Sequence, residues 1–101
     1  MTTIKQVREQ LAGRDLYIVE SEYVEKGEFY ESLTTYDREE ALKEARAIKG
    51  KDDEKEGRRI VVTTYKYDDI TDDAIERWME SGSEHVENIY IDNAEAHEEY
   101  I

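Results

Sequence analysis

The chain begins with apolar residues at helical spacing. Ile4, Val7 and Leu11 recur on one face of a helix. Thr3 and Gln6 have the spacing of a capping box, and a glycine follows the last apolar position. This pattern predicts a helix over residues 4–12.

Two runs with a period of two follow this helix. Residues 16–24 and 29–36 both alternate between two sets of side chains, and Lys26 with Gly27 interrupts the alternation between them. A break that contains glycine between two alternating runs is typical of a β-hairpin. We therefore predict two paired strands.

The next helix has a clear start and a clear end. Asp37 is a favoured N-cap residue, and Glu40 has the spacing to reach back to it. An apolar stripe then continues to Gly50 through Ala41, Leu42, Ala45 and Ile48. Residues 50–57 contain no apolar side chain, which predicts a mobile charged loop.

The second half of the chain predicts another strand, another helix and a less regular end. Residues 59–67 are rich in β-branched and aromatic side chains and begin with an apolar run, which favours a central strand covered on both faces. Thr71 can cap a helix that ends near Gly82, with Ile70 packed on Ile75. Residues 86–91 are predicted to form the last strand, and residues 93–101 a short helix or a frayed tail.

These elements give the order α-β-β-α-β-α-β. We predict an α+β fold with a mainly antiparallel sheet and helices packed on it. The 101 residues match the usual size of one domain, so we expect residues 1–101 to form a single domain. An aromatic content of 10% argues against disorder, although charged residues make up 41% of the chain.

The negative charge is concentrated in the last third of the chain. Residues 68–101 hold twelve carboxylates and one base, Arg77, whereas residues 1–67 are almost balanced within a formal net charge of −13. This charge disfavours nucleic acid and anionic membranes as direct partners, because both are bound through Lys and Arg. A basic protein is the expected partner.

Eight of these carboxylates are the candidate partner-binding residues. Around the predicted helix, five acidic residues fall opposite Ala74, Ile75, Trp78 and Met79: Asp69, Asp72, Asp73, Glu76 and Glu80. The full candidate set is Asp68, Asp69, Asp72, Asp73, Glu76, Glu80, Glu84 and Glu87. Carboxylates three and four residues apart on a helix are separated by about 5 to 6 Å along its axis. This distance is close to the spacing of phosphates along one nucleic-acid strand.

The acidic segment resembles the small acidic proteins that phages encode against bacterial defence, the anti-CRISPR and anti-restriction DNA mimics. The resemblance lies in size, absence of Cys, an α+β layout and the run Asp68-Asp69-Ile70-Thr71-Asp72-Asp73. It implies a protein of the host cytoplasm that occupies the nucleic-acid-binding site of a CRISPR or restriction effector. The alternative for the same residues is a solvated helix face, because Asp is favoured in any first helical turn.

The eight tyrosines support a second functional hypothesis. Tyr17 with Tyr23, Tyr30 with Tyr36, and Tyr65 with Tyr67 each share one face of a predicted strand. Cross-strand packing is the ordinary explanation for such pairs. Alternatively, a Tyr-rich sheet face or an exposed strand edge forms the contact surface of an adaptor, and the acidity serves solubility.

The sequence contains no recognisable catalytic, cofactor or metal motif. The serines lack the context of a nucleophile elbow, and no glycine-rich turn could hold a phosphate. The paired aspartates lack the ligand rhythm of a calcium loop, and thiolate sites are excluded because the chain has no Cys. We therefore predict a non-enzymatic protein without cofactor or metal. A small metal-dependent enzyme, with Asp68-Asp69 and Asp72-Asp73 around a hard cation, is the third hypothesis. Because neither a bilayer-spanning run nor a signal-peptide pattern occurs, we expect a cytoplasmic protein.

Overall fold

The computed structural model describes residues 2–51 and 58–101. Within these residues the chain forms four α-helices, four β-strands and a short 3-10 turn. In chain order they are α1 (Ile4–Leu11), β1 (Leu16–Tyr23), β2 (Glu28–Thr35), α2 (Arg38–Lys51), β3 (Arg58–Tyr65), the 3-10 turn (Tyr67–Asp69), α3 (Asp72–Ser81), α4 (Glu87–Asn93) and β4 (Ala96–Tyr100). The predicted α+β class is confirmed.

The four strands form one antiparallel sheet with the order β2-β1-β3-β4. β1 and β2 are the predicted hairpin, and their register shifts once because the pairing skips Ser32 between Glu31 and Leu33. β3 lies in the interior of the sheet, and its consecutive residues 60–63 are all buried. The prediction of a central strand covered on both faces is therefore confirmed.

Two compact units make up the described chain. The helical unit comprises Met1–Leu16 and Tyr65–Ala96, and the sheet unit comprises Tyr17–Thr64 and His97–Ile101. In the helical unit α3 packs against α1 and α4. In the sheet unit α2 packs against β2, and its predicted stripe is buried at Ala41, Leu42 and Ala45. That residues 1–101 are a single domain stays a prediction.

Each unit has its own apolar core. The buried residues of the helical unit are Val7, Leu11, Leu16, Ile70, Ala74, Ile75, Val86, Ile89 and Tyr90. The cluster between α2 and the sheet consists of Tyr17, Val19, Ala41, Leu42, Ala45, Ile60 and Val62, with Leu33, Ile48 and Ile101 packed against it. Burial of this kind is the main source of stability for helices this short.

Side-chain caps fix the ends of α1. Thr3 and Gln6 form the predicted capping box, with bonds of 2.9 and 3.2 Å. The chain leaves the helix one residue earlier than predicted, because Ala12 adopts a left-handed conformation with φ +54°. The Arg14 guanidinium donates to the carbonyls of Leu11 and Gln10 in the last turn of the helix, and the Arg14 backbone N–H also donates to the Leu11 carbonyl.

The start of α2 is capped differently from the prediction. The Asp37 carboxylate accepts from the backbone N–H groups of Glu39 and Glu40, as an N-cap does. Glu40 does not reach back to Asp37, because its carboxylate accepts from the Thr35 hydroxyl, while the Asp37 N–H donates to the same hydroxyl oxygen.

Of the predicted loop at residues 50–57, Gly50 and Lys51 belong to α2, and residues 52–57 lie outside the described part of the chain.

Two predictions for the end of the chain are wrong. Residues 86–91 are not a strand, because α4 begins at Glu87; the buried positions Val86, Ile89 and Tyr90 have helical spacing, and Ile91 is exposed. Residues 93–101 are neither a helix nor a frayed tail, because β4 pairs with β3 at the edge of the sheet. The sequence of β4 conceals the strand, since all five of its residues are exposed.

None of the helices in residues 2–51 and 58–101 has both the length and the apolar character required to cross a membrane.

Candidate acidic binding surface

The described geometry separates α3 into a buried face and an acidic face, as predicted. Ala74 and Ile75 are buried, and Trp78 and Met79 are partly buried. The exposed face carries four carboxylates, which we call the acidic stripe: Asp72, Asp73, Glu76 and Glu80. Met79 lies at the border of this face, three residues after Glu76 and seven after Asp72. A ten-residue helix is about 15 Å long, so the stripe places four negative charges along that length.

The helix that carries the stripe is well defined at both ends. The Thr71 hydroxyl accepts from the Ala74 N–H at 3.1 Å, which is the predicted N-cap. Gly82 ends the helix in the left-handed conformation with φ +76°, where glycine carries no steric penalty. Asp72 and Asp73 lie in the first turn, where the helix dipole favours negative charge.

Asp72 is the stripe residue that also has a structural role. Its carboxylate accepts from two nitrogens of the Arg8 guanidinium, at 2.8 and 3.1 Å, and Arg8 also donates to the Ile70 carbonyl. The hydrogen bond to Asp72, with a smaller contribution from Tyr67, raises the pKa of Arg8. This pair joins α1 to the start of α3, so a change at Asp72 would affect folding as well as charge.

The other three stripe residues have no such partner. Within the described residues, no side-chain hydrogen bond or ion pair involves Asp73, Glu76 or Glu80. Arg77 is the one base in residues 68–101, and it donates to the Asn93 side-chain oxygen at 3.0 Å rather than to a stripe carboxylate. Carboxylates at i and i+4 repel each other by a few tenths of a kcal/mol, so the stripe slightly destabilises its own helix.

The remaining four candidate residues lie outside this helix face, and they include Asp69, which was predicted to share it. Asp68 and Asp69 are exposed on the 3-10 turn, where the Asp69 carboxylate accepts from the Glu95 N–H at 3.3 Å. Glu84 is exposed in the connection after Gly82, and Glu87 is partly buried as the first residue of α4. The structure thus aligns four of the eight predicted residues on one element and does not extend the stripe regularly into the other four.

A small polar cleft lies between α3 and α4, with a volume of about 180 Å³. Its polar side chains bond to neighbouring groups: Arg77 to Asn93, Asn88 to Ser83, and Asn93 also to the Ile89 carbonyl. The Trp78 ring forms part of the wall, with its indole N–H donating to the His85 carbonyl at 3.0 Å. The Arg77–Asn93 bond joins α3 to α4, and the bonds of Trp78 and Asn88 hold these helices to the connection between them.

The sheet unit contains an acidic group that the sequence analysis did not identify. Glu20 on β1 lies directly opposite Glu31 on β2, and side chains at opposed positions share one sheet face. Glu98 on β4 is close enough to act on the same carboxyl group. The sequence did not predict that these three carboxylates lie together, because Ser32 shifts the register of β2 and because β4 was not predicted as a strand.

Glu20 is the strained member of this group. Burial, together with the charges of Glu31 and Glu98, raises the pKa of its carboxyl group above the usual value. Its neighbours are better satisfied: the Thr34 hydroxyl donates to Glu31, the Tyr100 hydroxyl donates to Glu98, and Arg59 pairs with Glu22 at 2.8 Å. Glu20 is therefore the member of this group in which burial adds to the effect of like charge.

The tyrosines take different environments. Tyr17 is buried against α2, and the rings of Tyr23 and Tyr30 meet edge to face across the hairpin at 5.3 Å, which is the cross-strand packing predicted for β1 and β2. Tyr30 and Phe29 are nevertheless 53% exposed on the edge strand β2. Hydrogen bonding to Glu28 raises the pKa of the Tyr30 hydroxyl.

In the described part of the chain, no three or more acidic or histidine side chains come close enough together to hold a metal ion. No protein-family model matches this sequence, and no curated protein or solved structure is significantly similar to it.

Proposed function

We propose that this protein is a non-enzymatic inhibitor or decoy that binds a basic nucleic-acid-handling protein, such as a CRISPR or restriction effector, through the acidic stripe. The stripe occupies the nucleic-acid-binding site of that partner. The single observation that carries this proposal is the row of exposed carboxylates on one capped helix, three of them without a described partner.

The energetics of α3 support this assignment. Asp73, Glu76 and Glu80 cost the helix a small repulsion that interspersed lysines would remove, as they do on α2, where Lys43 lies between acidic positions. In a groove lined with Arg and Lys the same repulsion would become attraction, because opposite charges steer association and select the partner.

A pull-down with matched baits tests the proposal. The test bait is the double variant Asp73→Lys and Glu76→Lys. The control bait is Glu9→Lys and Glu25→Lys, which changes the net charge equally at two exposed positions outside the stripe. Wild type and control should capture the same nucleic-acid-binding protein from bacterial lysate, added duplex DNA should release it, and the test bait should capture none.

The proposal is wrong if the test bait, shown to be folded by circular dichroism, captures the same protein as wild type. It is equally wrong if duplex DNA leaves the captured protein on the bait, because a decoy must compete with nucleic acid for one site.

The exposed aromatic side chains of β2 favour one alternative function. As an edge strand, β2 presents unpaired backbone groups beside Phe29 and Tyr30, which suits an adaptor that binds by strand addition. Loss of capture by a Tyr30→Ser bait, with the stripe variant still active, would decide for this alternative.

A further inference from the structure

The helical unit has an apolar groove beside the acidic stripe. The groove has a volume of about 420 Å³ and is lined by Thr2, Val7, Gln10, Trp78, Met79 and Ser83. Val7 forms its floor with 1% exposure, and the partly exposed Trp78 and Met79 form its wall. Exposed Thr2 and Gln10 contribute a polar rim. A hydrophobic centre with a polar rim is the usual anatomy of a protein-binding site.

The position of Trp78 in this groove is fixed by a hydrogen bond from its single polar side-chain group, the indole N–H. Its indole N–H donates to the His85 carbonyl at 3.0 Å, so the rest of the ring system is available as an apolar wall. Tryptophan is enriched among the residues that dominate binding energy, because it supplies a large rigid surface at low entropic cost.

The groove adjoins the stripe on α3 itself. Met79 follows Glu76 by three residues and Asp72 by seven, so it borders the edge of the stripe that these two carboxylates form, whereas Asp73 and Glu80 lie farther round the helix. A ligand that covers both features must therefore place bases and an apolar side chain side by side. Carboxylates at i and i+4 recur roughly every 6 Å along the axis, which equals the spacing of bases at i and i+4 on a second helix.

We propose that the groove and the stripe together bind a basic amphipathic helix of the partner protein. One base of that helix pairs with Glu76 at the border of the groove, and further bases reach round to Asp73 and Glu80. One apolar side chain enters the groove against Trp78 and Met79. This inference rests on the proposed function and specifies its partner: the stripe recognises a helical basic segment, and the groove distinguishes that segment from other positively charged chains.

Two synthetic helical peptides test the inference. Both carry arginines at the same positions and contain no aromatic residue, but one has leucines at its apolar positions and the other has glutamines. Calorimetry measures affinity at about 0.15 M salt, where exposed charges are screened beyond roughly 8 Å. Excitation at the red edge reports on Trp78, since the chain has a single tryptophan.

The leucine peptide should bind about tenfold or more tightly than the glutamine peptide, as expected for burying one large apolar side chain. It should also shift the Trp78 emission to shorter wavelength. Met79→Gln should bring the two affinities together, and so should Gln10→Arg, which places a bulky base at the exposed rim of the groove. Ile91→Gln, which removes an exposed apolar side chain elsewhere in the helical unit, should leave the difference intact.

Equal affinities for the two peptides with unchanged Trp78 emission would overturn this inference and leave the acidic stripe as a charge-only surface. Failure of both peptides to bind even at low salt would contradict the proposed function as well. A shift in emission that depends on protein concentration alone would show that a second copy fills the groove, which also overturns the inference.

Discussion

Glu20 combines two physical costs, burial and like charge, in one carboxyl group. Its carboxyl group is partly buried and faces Glu31 directly across the hairpin, so the charged form is disfavoured both by burial and by like charge. The folded chain therefore binds a proton at this site at a pH where the unfolded chain does not. Stability must fall as the pH rises through that interval.

Glu20→Gln should increase the free energy of unfolding at pH 7 by roughly 0.2–1 kcal/mol, the usual range for a cross-strand pair. The gain should shrink on acidification and vanish below the ordinary carboxyl pKa of 4.5, where Glu20 is protonated in both states. Urea unfolding over a series of pH values measures this. Glu25→Gln, at an exposed position in the turn, is the control and should show no such dependence. A gain that stays constant with pH would contradict the explanation.

At the scale of elements, local signals in the sequence were sufficient where caps and periodicity agree. The Thr3 and Thr71 caps, the hairpin and the buried stripe of α2 could all be predicted because each depends on neighbours in sequence. α4 and β4 could not be predicted in this way. The run Ile89-Tyr90-Ile91 is as typical of a strand as of a helix. β4 is defined by its pairing with β3 and has no buried side chain of its own.

The same distinction applies to the candidate surface. The stripe on α3 could be predicted because helical periodicity alone puts its four carboxylates on one face. The sequence could not show which of these carboxylates form ion pairs within the chain, because the Arg8–Asp72 pair joins residues 64 positions apart. The groove was missed for the same reason, since Val7 and Trp78 come from distant parts of the chain.

Thr71→Ala should reduce the free energy of unfolding by about 1 kcal/mol, because the Ala74 N–H loses its acceptor at the start of α3. Thr71→Ser keeps the hydroxyl and should retain most of the stability. Thermal and urea unfolding of the two variants provide the comparison. Equal loss in both would mean that the methyl group, and not the cap, stabilises this helix end.

At the scale of the whole molecule, a net charge of −13 limits the partner more than it identifies one. The structure assigns part of this charge to the acidic stripe and another part to the group around Glu20, and the two differ physically. The stripe is exposed on a helix that tolerates its repulsion, whereas Glu20 is held in an unfavourable position by the packing of its sheet. Of the two, only the stripe aligns exposed carboxylates along one helix.

The most direct test of the stripe as a contact surface is the salt dependence of affinity for the captured partner. Calorimetry from low to above physiological salt should show wild-type affinity falling by about tenfold or more, because added ions screen the attraction between the stripe and a basic site. The Glu9→Lys and Glu25→Lys control should follow the same curve, and the Asp73→Lys and Glu76→Lys variant should bind weakly at every salt concentration. Wild-type affinity that is indifferent to salt, or shared by the stripe variant, would contradict the account.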